Sequence, residues 1–378
     1  MLPYSPPGCE PAHPQMLEFP LTYRPDEHEA FLGAVADWLR SDAIGWLLDR
    51  VALPVVLGRP EALRDPSATF EDIVAALAEL DDWRAHGTAW DTRAQGERQF
   101  AELIASNGNG NRHIGDAEIR ERATELGMRS CREATAGAHR VVVAMGGARM
   151  APLRRTQWLA DQLATGRIEA DHFAALGCNR PLHDTHEAGV EYAGARASTE
   201  IDLLEGALRA ALDGPVEWTR HERPLGVGPG EKTHWSWRRA PGMTLGPCSF
   251  DVHLVEAPTT RMDRSRVDTA ESLEFLAGGR ERLAGRELEL PDPARPGIAD
   301  RGLGLGPGDS VVLSTAPIYS AYTQLAGVRV LGLRGCSVET VAHPLTGASP
   351  VSPVGPLYVQ EVRSAVQGAL HLADALVR

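Results

Sequence analysis

The sequence predicts an α/β fold, a parallel sheet with helices on both faces, together with an N-terminal mainly helical region. Three observations lead there. Beyond residue 139, short apolar runs of strand length alternate with longer segments of helical periodicity, the signature of strand–helix–strand units. Before residue 138 the apolar spacing is helical. The chain has 378 residues, 43% hydrophobic and 24% charged, which is ordinary globular composition and length enough for about two domains. The expected division is 1–138, mainly helical, and 139–378, the α/β domain.

The elements follow in order. Residues 1–20 are Pro-rich and read as an extended arm. Phe31, Val35, Trp38 and Leu39 keep helical spacing, as do Ile73, Ala76, Leu77 and Leu80, so residues 25–105 read as helical. Asp82–Arg98 reads as a further helix or a loop, and the SNGNGN cluster at 106–111 as a turn. Asp116 can cap a helix whose apolar face is Ile119, Ala123 and Leu126 and which Gly127 can end. Strands are expected at Arg140–Met145, His172–Leu176, Phe250–Glu256, Ser310–Ser314 and Val328–Leu331. Helices are expected at 152–165, 199–212, 268–284, near 318–326 and at 357–377. Residues 214–248 break the alternation. They hold Trp218, Trp235 and Trp237 between Gly and Pro turns, with Arg220, Arg223, Lys232, Arg238 and Arg239 outnumbering Glu217, Glu222 and Glu231. Long irregular segments in compact domains are often functional, so this one reads as an inserted, lid-like segment. The Pro- and Gly-rich stretch 285–309 reads as a surface connection.

Charge and cysteine usage narrow the partners. The formal net charge is −13, which argues against nucleic acid and anionic membranes, both of which reward basic surfaces. Lys232 is the sole lysine, so lysine-based covalent chemistry has one candidate. Five widely spaced cysteines without a C-x-x-C pair fit a reducing compartment better than a disulfide scaffold. The opening residues lack a basic-then-apolar leader, and no apolar run reaches membrane-spanning length. A cytoplasmic protein is expected.

In an open parallel sheet, ligands bind beyond the carboxyl ends of the strands, and four segments should meet there. Gly146 and Gly147 follow the first strand, where backbone N–H groups can cradle an anion at the next helix; the other reading is a tight strand-to-helix turn. Arg154 and Arg155 sit early in that helix and can fork onto a carboxylate or phosphate, or simply face solvent. Gly177 ends the second strand, on the way to Glu200. Asp268 and Thr269 precede Glu271 at a helix start, as caps or as ligand contacts. Thr315, Tyr319 and Tyr322 follow the fourth strand, as ligand contacts or as packing. The pair His183 and His186 with Glu187 lacks the H-E-x-x-H spacing of helical zinc sites, and no metal is expected. Gly226–Thr233 is not a phosphate loop, because Glu231 stands where G-x-x-x-x-G-K-[ST] needs glycine. There is no G-x-S-x-G elbow either.

The order of these segments resembles the SanA/YdcF/ElyC-like domain family. The matching stretches are VVVAMGGA (141–148), RRT (154–156), ALG (175–177), STE (198–200), VDTAES (267–272) and VVLSTAPIYSAY (311–322), over roughly residues 139–345. Thr269 and Glu271 match the family's third motif. Asp268 and Ser272 replace its asparagines, Tyr319 stands where the family has His, and Tyr322 where it has Arg. The resemblance implies a Rossmann-like three-layer sheet and a nucleotide-like ligand, with S-adenosylmethionine as the implied cofactor. The resulting expectation is an enzyme acting on a small anionic or nucleotide-like molecule, by group transfer in preference to hydrolysis. Gly146, Gly147, Arg154, Arg155, Gly177, Asp268, Thr269 and Thr315 would bind, and Glu200, Glu271 and Tyr319 would carry catalysis. A binding protein without turnover and a hydrolase of phosphorylated sugars or pyrophosphates are the alternatives.

Overall fold

The structure is a computed structural model that describes residues 17–48, 60–81, 116–147, 150–178, 180–182, 191–192, 195–212, 216–222, 235–258, 267–278, 302–344 and 355–377. The chain divides into two compact units: Met1–Cys131 with Pro317–Leu325 and Pro344–Arg378, and Arg132–Ala316 with Ala326–His343.

The first unit is helical. Its helices are α1 (His28–Arg40), α2 (Asp42–Leu47), α3 (Phe70–Asp81) and α4 (Asp116–Glu125), with α9 (Gly355–Val377) packed against α3 and α4. The spacing of Phe31, Leu32, Val35, Trp38 and Leu39 puts them on one buried face of α1, as the periodicity predicts. Thr69 and Asp72 cap the start of α3 reciprocally: the Asp72 amide donates to Thr69 Oγ1 (3.2 Å) and the Thr69 amide to Asp72 Oδ2 (2.9 Å). Trp38 is wholly buried, and its indole N–H donates to the Leu126 carbonyl at 3.2 Å, satisfying its polar atom. Gly127, at φ +73°, follows α4 in the left-handed conformation that ends helices.

The second unit is built on a seven-stranded mixed sheet. Its strands are β1 (Gly137–Met145), β2 (Ile168–Gly177), β3 (Thr219–Glu222), β4 (Ser236–Leu245), β5 (Cys248–Glu256), β6 (Ser310–Thr315) and β7 (Ser337–Ala342), in spatial order β7-β6-β1-β2-β5-β4-β3. β7, β6, β1, β2 and β5 are mutually parallel. β4 and β3 add on in antiparallel fashion. Toward their carboxyl ends the parallel strands are buried on both faces and mostly apolar, as this arrangement requires. Val142, Ala144, Phe173, Ala175, Val252 and Leu254 form one core with Leu159 and Leu163 of α5 (Ala151–Ala164) and Leu204 and Leu208 of α6 (Glu200–Ala211). The opposite face carries α7 (Thr269–Gly278), whose Phe275 ring lies 5.8 Å from that of Trp237. An α/β, Rossmann-like sheet with helices on both faces is thus what the chain forms.

Three details differ from expectation. Val328–Leu331 is not a strand: α8 runs Ser320–Val330, and the strand is Ser337–Ala342. Its β-branched residues fit a strand, but local propensity yields to tertiary packing. Residues 219–222 and 236–245 are sheet strands rather than a lid, and Trp235 and Trp237 are buried in the fold, so neither can stack on a ligand from above. Cys178, Cys248 and Cys336 are free and buried, but Cys131 is disulfide-bonded, against the expectation from cysteine spacing. Among the described residues, no helix is long and apolar enough to cross a membrane.

Candidate functional site

The strand order locates the crevice. The chain passes from β1 to β2, jumps to the edge strand β3, comes back inward through β4 to β5, and then crosses to β6 on the other side of β1. Sheets of this kind bind ligands beyond the carboxyl ends of their parallel strands. Gly146 and Gly147 leave β1 there, and Thr315 ends β6.

Glu200 occupies the space that the glycines leave. It opens α6, whose start is fixed by a capping box: the Asp202 amide donates to Thr199 Oγ1 and the Thr199 amide to Asp202 Oδ2. Burial pushes the Asp202 carboxyl up, but hydrogen bonds from Ser198 and Thr199 outweigh it and hold the group below its usual range. With the helix start pinned, the Glu200 side chain reaches back over β1 and β2. A β-carbon on Gly146 would overlap its Oε1, and one on Gly177 would lie 3.3 Å from it and 2.6 Å from Leu204 Cδ1. Both positions require glycine for close approach rather than for a turn. On the other side, Glu200 Oε2 accepts from Arg180 Nε at 3.3 Å and from the Cys178 thiol at 3.6 Å.

These neighbours set the local chemistry. Burial, and then the Glu200 carboxylate, push the Cys178 thiol up to about 12. At neutral pH it is a protonated donor rather than a nucleophile. A second buried carboxylate, Glu256, ends β5 in register with Gly177 and accepts from the Ser236 hydroxyl at 2.7 Å.

Arg155 is 4% exposed, and its Nη1 donates to the carbonyls of Met145 (3.0 Å) and Gly146. A β-carbon on Gly147 would come within 3.0 Å of that same nitrogen. The guanidinium therefore braces the diglycine corner from behind. The Ser314 hydroxyl donates to the Arg155 carbonyl at 3.3 Å, tying α5 to the end of β6. Arg154 is half-buried in the same turn.

Contact thus unites Gly146, Gly147, Gly177, Arg155 and Glu200. Asp268 and Glu271 instead engage each other. The Glu271 amide donates to Asp268 Oδ1 (2.8 Å) and the Asp268 amide to Glu271 Oε2 (3.0 Å), capping α7, whose first residue is Thr269. Thr315 is buried, and its carbonyl accepts from the His343 amide at 3.3 Å. Tyr319 closes a 3-10 turn, Pro317–Tyr319, of the helical unit. His183, His186, Glu187 and the Gly226–Thr233 loop lie outside the described residues.

Sequence reading missed Cys178 and Arg180 as partners of Glu200, although both immediately follow the Gly177 strand end. It also missed the one group of metal-ligating residue types found among the described residues, His172, Asp251 and His253. These sit mid-strand on β2 and β5, away from the carboxyl edge. No protein-family model, curated protein or solved structure matches the chain.

Proposed function

We propose that the chain is an enzyme that binds a small nucleotide-like molecule at the carboxyl edge of β6, β1 and β2, and transfers a group to or from it. The observation that carries this is the meeting of Gly146, Gly177, Arg155 and Glu200 at the carboxyl edge of the parallel strands. An ionised carboxylate only accepts hydrogen bonds, so Glu200 suits the hydroxyls or amine of a nucleoside and repels a phosphate. Arg154, in the first turns of α5, supplies positive charge for an anionic group. The resemblance to SanA/YdcF/ElyC-like domains supports the same reading. S-adenosylmethionine, the cofactor it implies, fits this donor set: its ribose hydroxyls match Glu200 and its carboxylate matches Arg154. Such a cofactor supplies an activated alkyl group when bound. This chain's own contribution is to position it through Glu200, itself held by Arg180 and Cys178. Asp268 and Glu271 cap the start of α7.

One observation favours a second reading, binding without turnover. The Cys178 thiol beside Glu200 is held protonated, which leaves the described edge without an activated nucleophile. Mass spectrometry of the protein incubated with candidate ligands separates the two, since only an enzyme yields product.

The test is a thermal-shift and calorimetric comparison of adenosine, S-adenosylmethionine, a sugar phosphate and inorganic phosphate. Nucleosides are expected to raise the melting temperature, and Glu200→Gln to weaken them by about 1–3 kcal/mol. Binding of inorganic phosphate alone, with Glu200→Gln unaffected, would overturn the reading.

A further inference from the structure

The His172, Asp251 and His253 group lies on the sheet face covered by α7, and its ligand atoms fall within 4.8 Å of one another. His172 Nδ1 and His253 Nε2 are 3.2 Å apart, about the separation of two imidazoles sharing one zinc ion at 2.0–2.1 Å each. The direction of the hydrogen bonds argues against a metal. An indole N–H can only donate, and that of Trp237 points at His253 Nδ1 from 3.0 Å. That nitrogen therefore carries the lone pair. His253 Nε2 carries the proton and donates it to His172 Nδ1. A metal-bound histidine has the reverse arrangement, donating from its non-ligating nitrogen. Asp251 is moreover engaged by Arg239 Nε (3.1 Å) and by the Gly242 amide (3.0 Å).

We propose that Trp237, His253 and His172 form a one-way hydrogen-bond chain that ties β4, β5 and β2 together and breaks when either ring takes up a proton. This makes the antiparallel side of the sheet an acid-sensitive latch. The only basic nitrogens on the two rings already accept. A proton on His172 Nδ1 would face the N–H of His253, and one on His253 Nδ1 would face the N–H of Trp237. The surroundings offer little compensation. Arg140 on β1 and Asp171 on β2 pair with each other at 2.7 Å, and Arg239 on β4 pairs with Asp251 on β5. α7 presents the Phe275 ring, 5.8 Å from Trp237. His253 is 1% exposed. Burial, then the neighbouring His172, pushes His253 down to about 3, and burial, then Arg140, lowers His172. His172 is the more accessible ring and takes the first proton.

The test is ring-nitrogen NMR of the intact chain between pH 8 and 5, with amide exchange followed on the same samples. At pH 7.5 His253 should be the neutral Nε2–H tautomer, and added zinc should leave both rings unchanged. As the pH falls, the amides of Ser236–Leu245 should lose protection by about tenfold for each 1.4 kcal/mol removed, ahead of those of Val141–Ala144. His172→Gln keeps an acceptor for His253 but cannot be protonated, so it should move this loss to lower pH. The proposal is overturned by an Nδ1–H tautomer of His253, by zinc bound to the rings, by titration near the ordinary histidine value with protection intact, or by a His172→Gln profile identical to the parent's.

Discussion

Replacing Gly146 by alanine strikes the contact on which the candidate site is built. The new methyl would overlap Glu200 Oε1 and stand 3.2 Å from its Cδ and 3.0 Å from the Leu176 carbonyl oxygen. The backbone cannot slide away freely, because the Gly146 amide donates to that same carbonyl at 2.7 Å. The carboxylate must swing out, away from Arg180 and Cys178. The Arg180 and Glu200 side chains are 20% and 10% exposed, so solvent does little to compensate. A charged hydrogen bond contributes about 1.5–3 kcal/mol and forced packing costs about 1–3 kcal/mol. The reduced freedom of the unfolded alanine chain offsets about 0.4–1 kcal/mol of this. A net loss of about 2–5 kcal/mol follows. Denaturant unfolding of the parent, Gly146→Ala, Glu200→Ala and the double variant gives the coupling directly. With the carboxylate gone, the methyl meets only the Leu176 oxygen, so a coupling of about 2 kcal/mol is expected. Costs that simply add, within about 0.5 kcal/mol, would refute the close approach of Glu200 to Gly146.

Three more outcomes follow from particular contacts. Asp268→Ala removes the cap of α7 and should cost about 1 kcal/mol of stability while leaving nucleoside affinity unchanged in calorimetry; a tenfold fall in affinity would make Asp268 a ligand contact. Cys178 should resist iodoacetamide at pH 8 in the folded chain, because alkylation needs the thiolate, and should label only on unfolding; fast native labelling, located by peptide mapping, would contradict the thiol–carboxylate contact. His253 has a folded value of about 3 against an ordinary 6.5, so the unfolded chain binds the extra proton between those limits. Stability is therefore full above about pH 6.5 and declines as pH falls, His253 alone accounting for about 2 kcal/mol at pH 5. Denaturant midpoints that stay flat from pH 7 to 5 would exclude this.

Much of the fold was legible because buried parallel strands are continuous apolar runs. Val141–Met145, Phe173–Leu176 and Val311–Leu313 announce themselves in this way, and helices by their periodicity. β4 was hidden by its own chemistry. Ser236–Leu245 contains Pro241 and Gly242, residues that punctuate strands. The structure accommodates them in an irregularity between Ala240 and Met243, with Gly242 at φ +64°. β7 was hidden by Glu339, which looks misplaced in a buried strand until its carboxylate is seen accepting from the Thr135 amide and hydroxyl. In the site, Gly146, Gly177 and Glu200 could be reached by topology, because strand ends and helix starts of an α/β sheet share an edge. The role of Arg155 as a brace was not legible, since sequence does not show which way an arginine turns. Nor was the His172–His253 pair, whose members lie 81 residues apart in sequence and meet only through the β2–β5 register.

Hydrogen exchange of the intact chain, with and without saturating nucleoside, probes the proposed receptor most directly. Added protection should concentrate in the backbone at 145–147, 177–180 and 314–315 and fade in Glu200→Gln. Protection confined to other segments, or none from any nucleoside including S-adenosylmethionine, would contradict a ligand seated at the carboxyl edge of β6, β1 and β2.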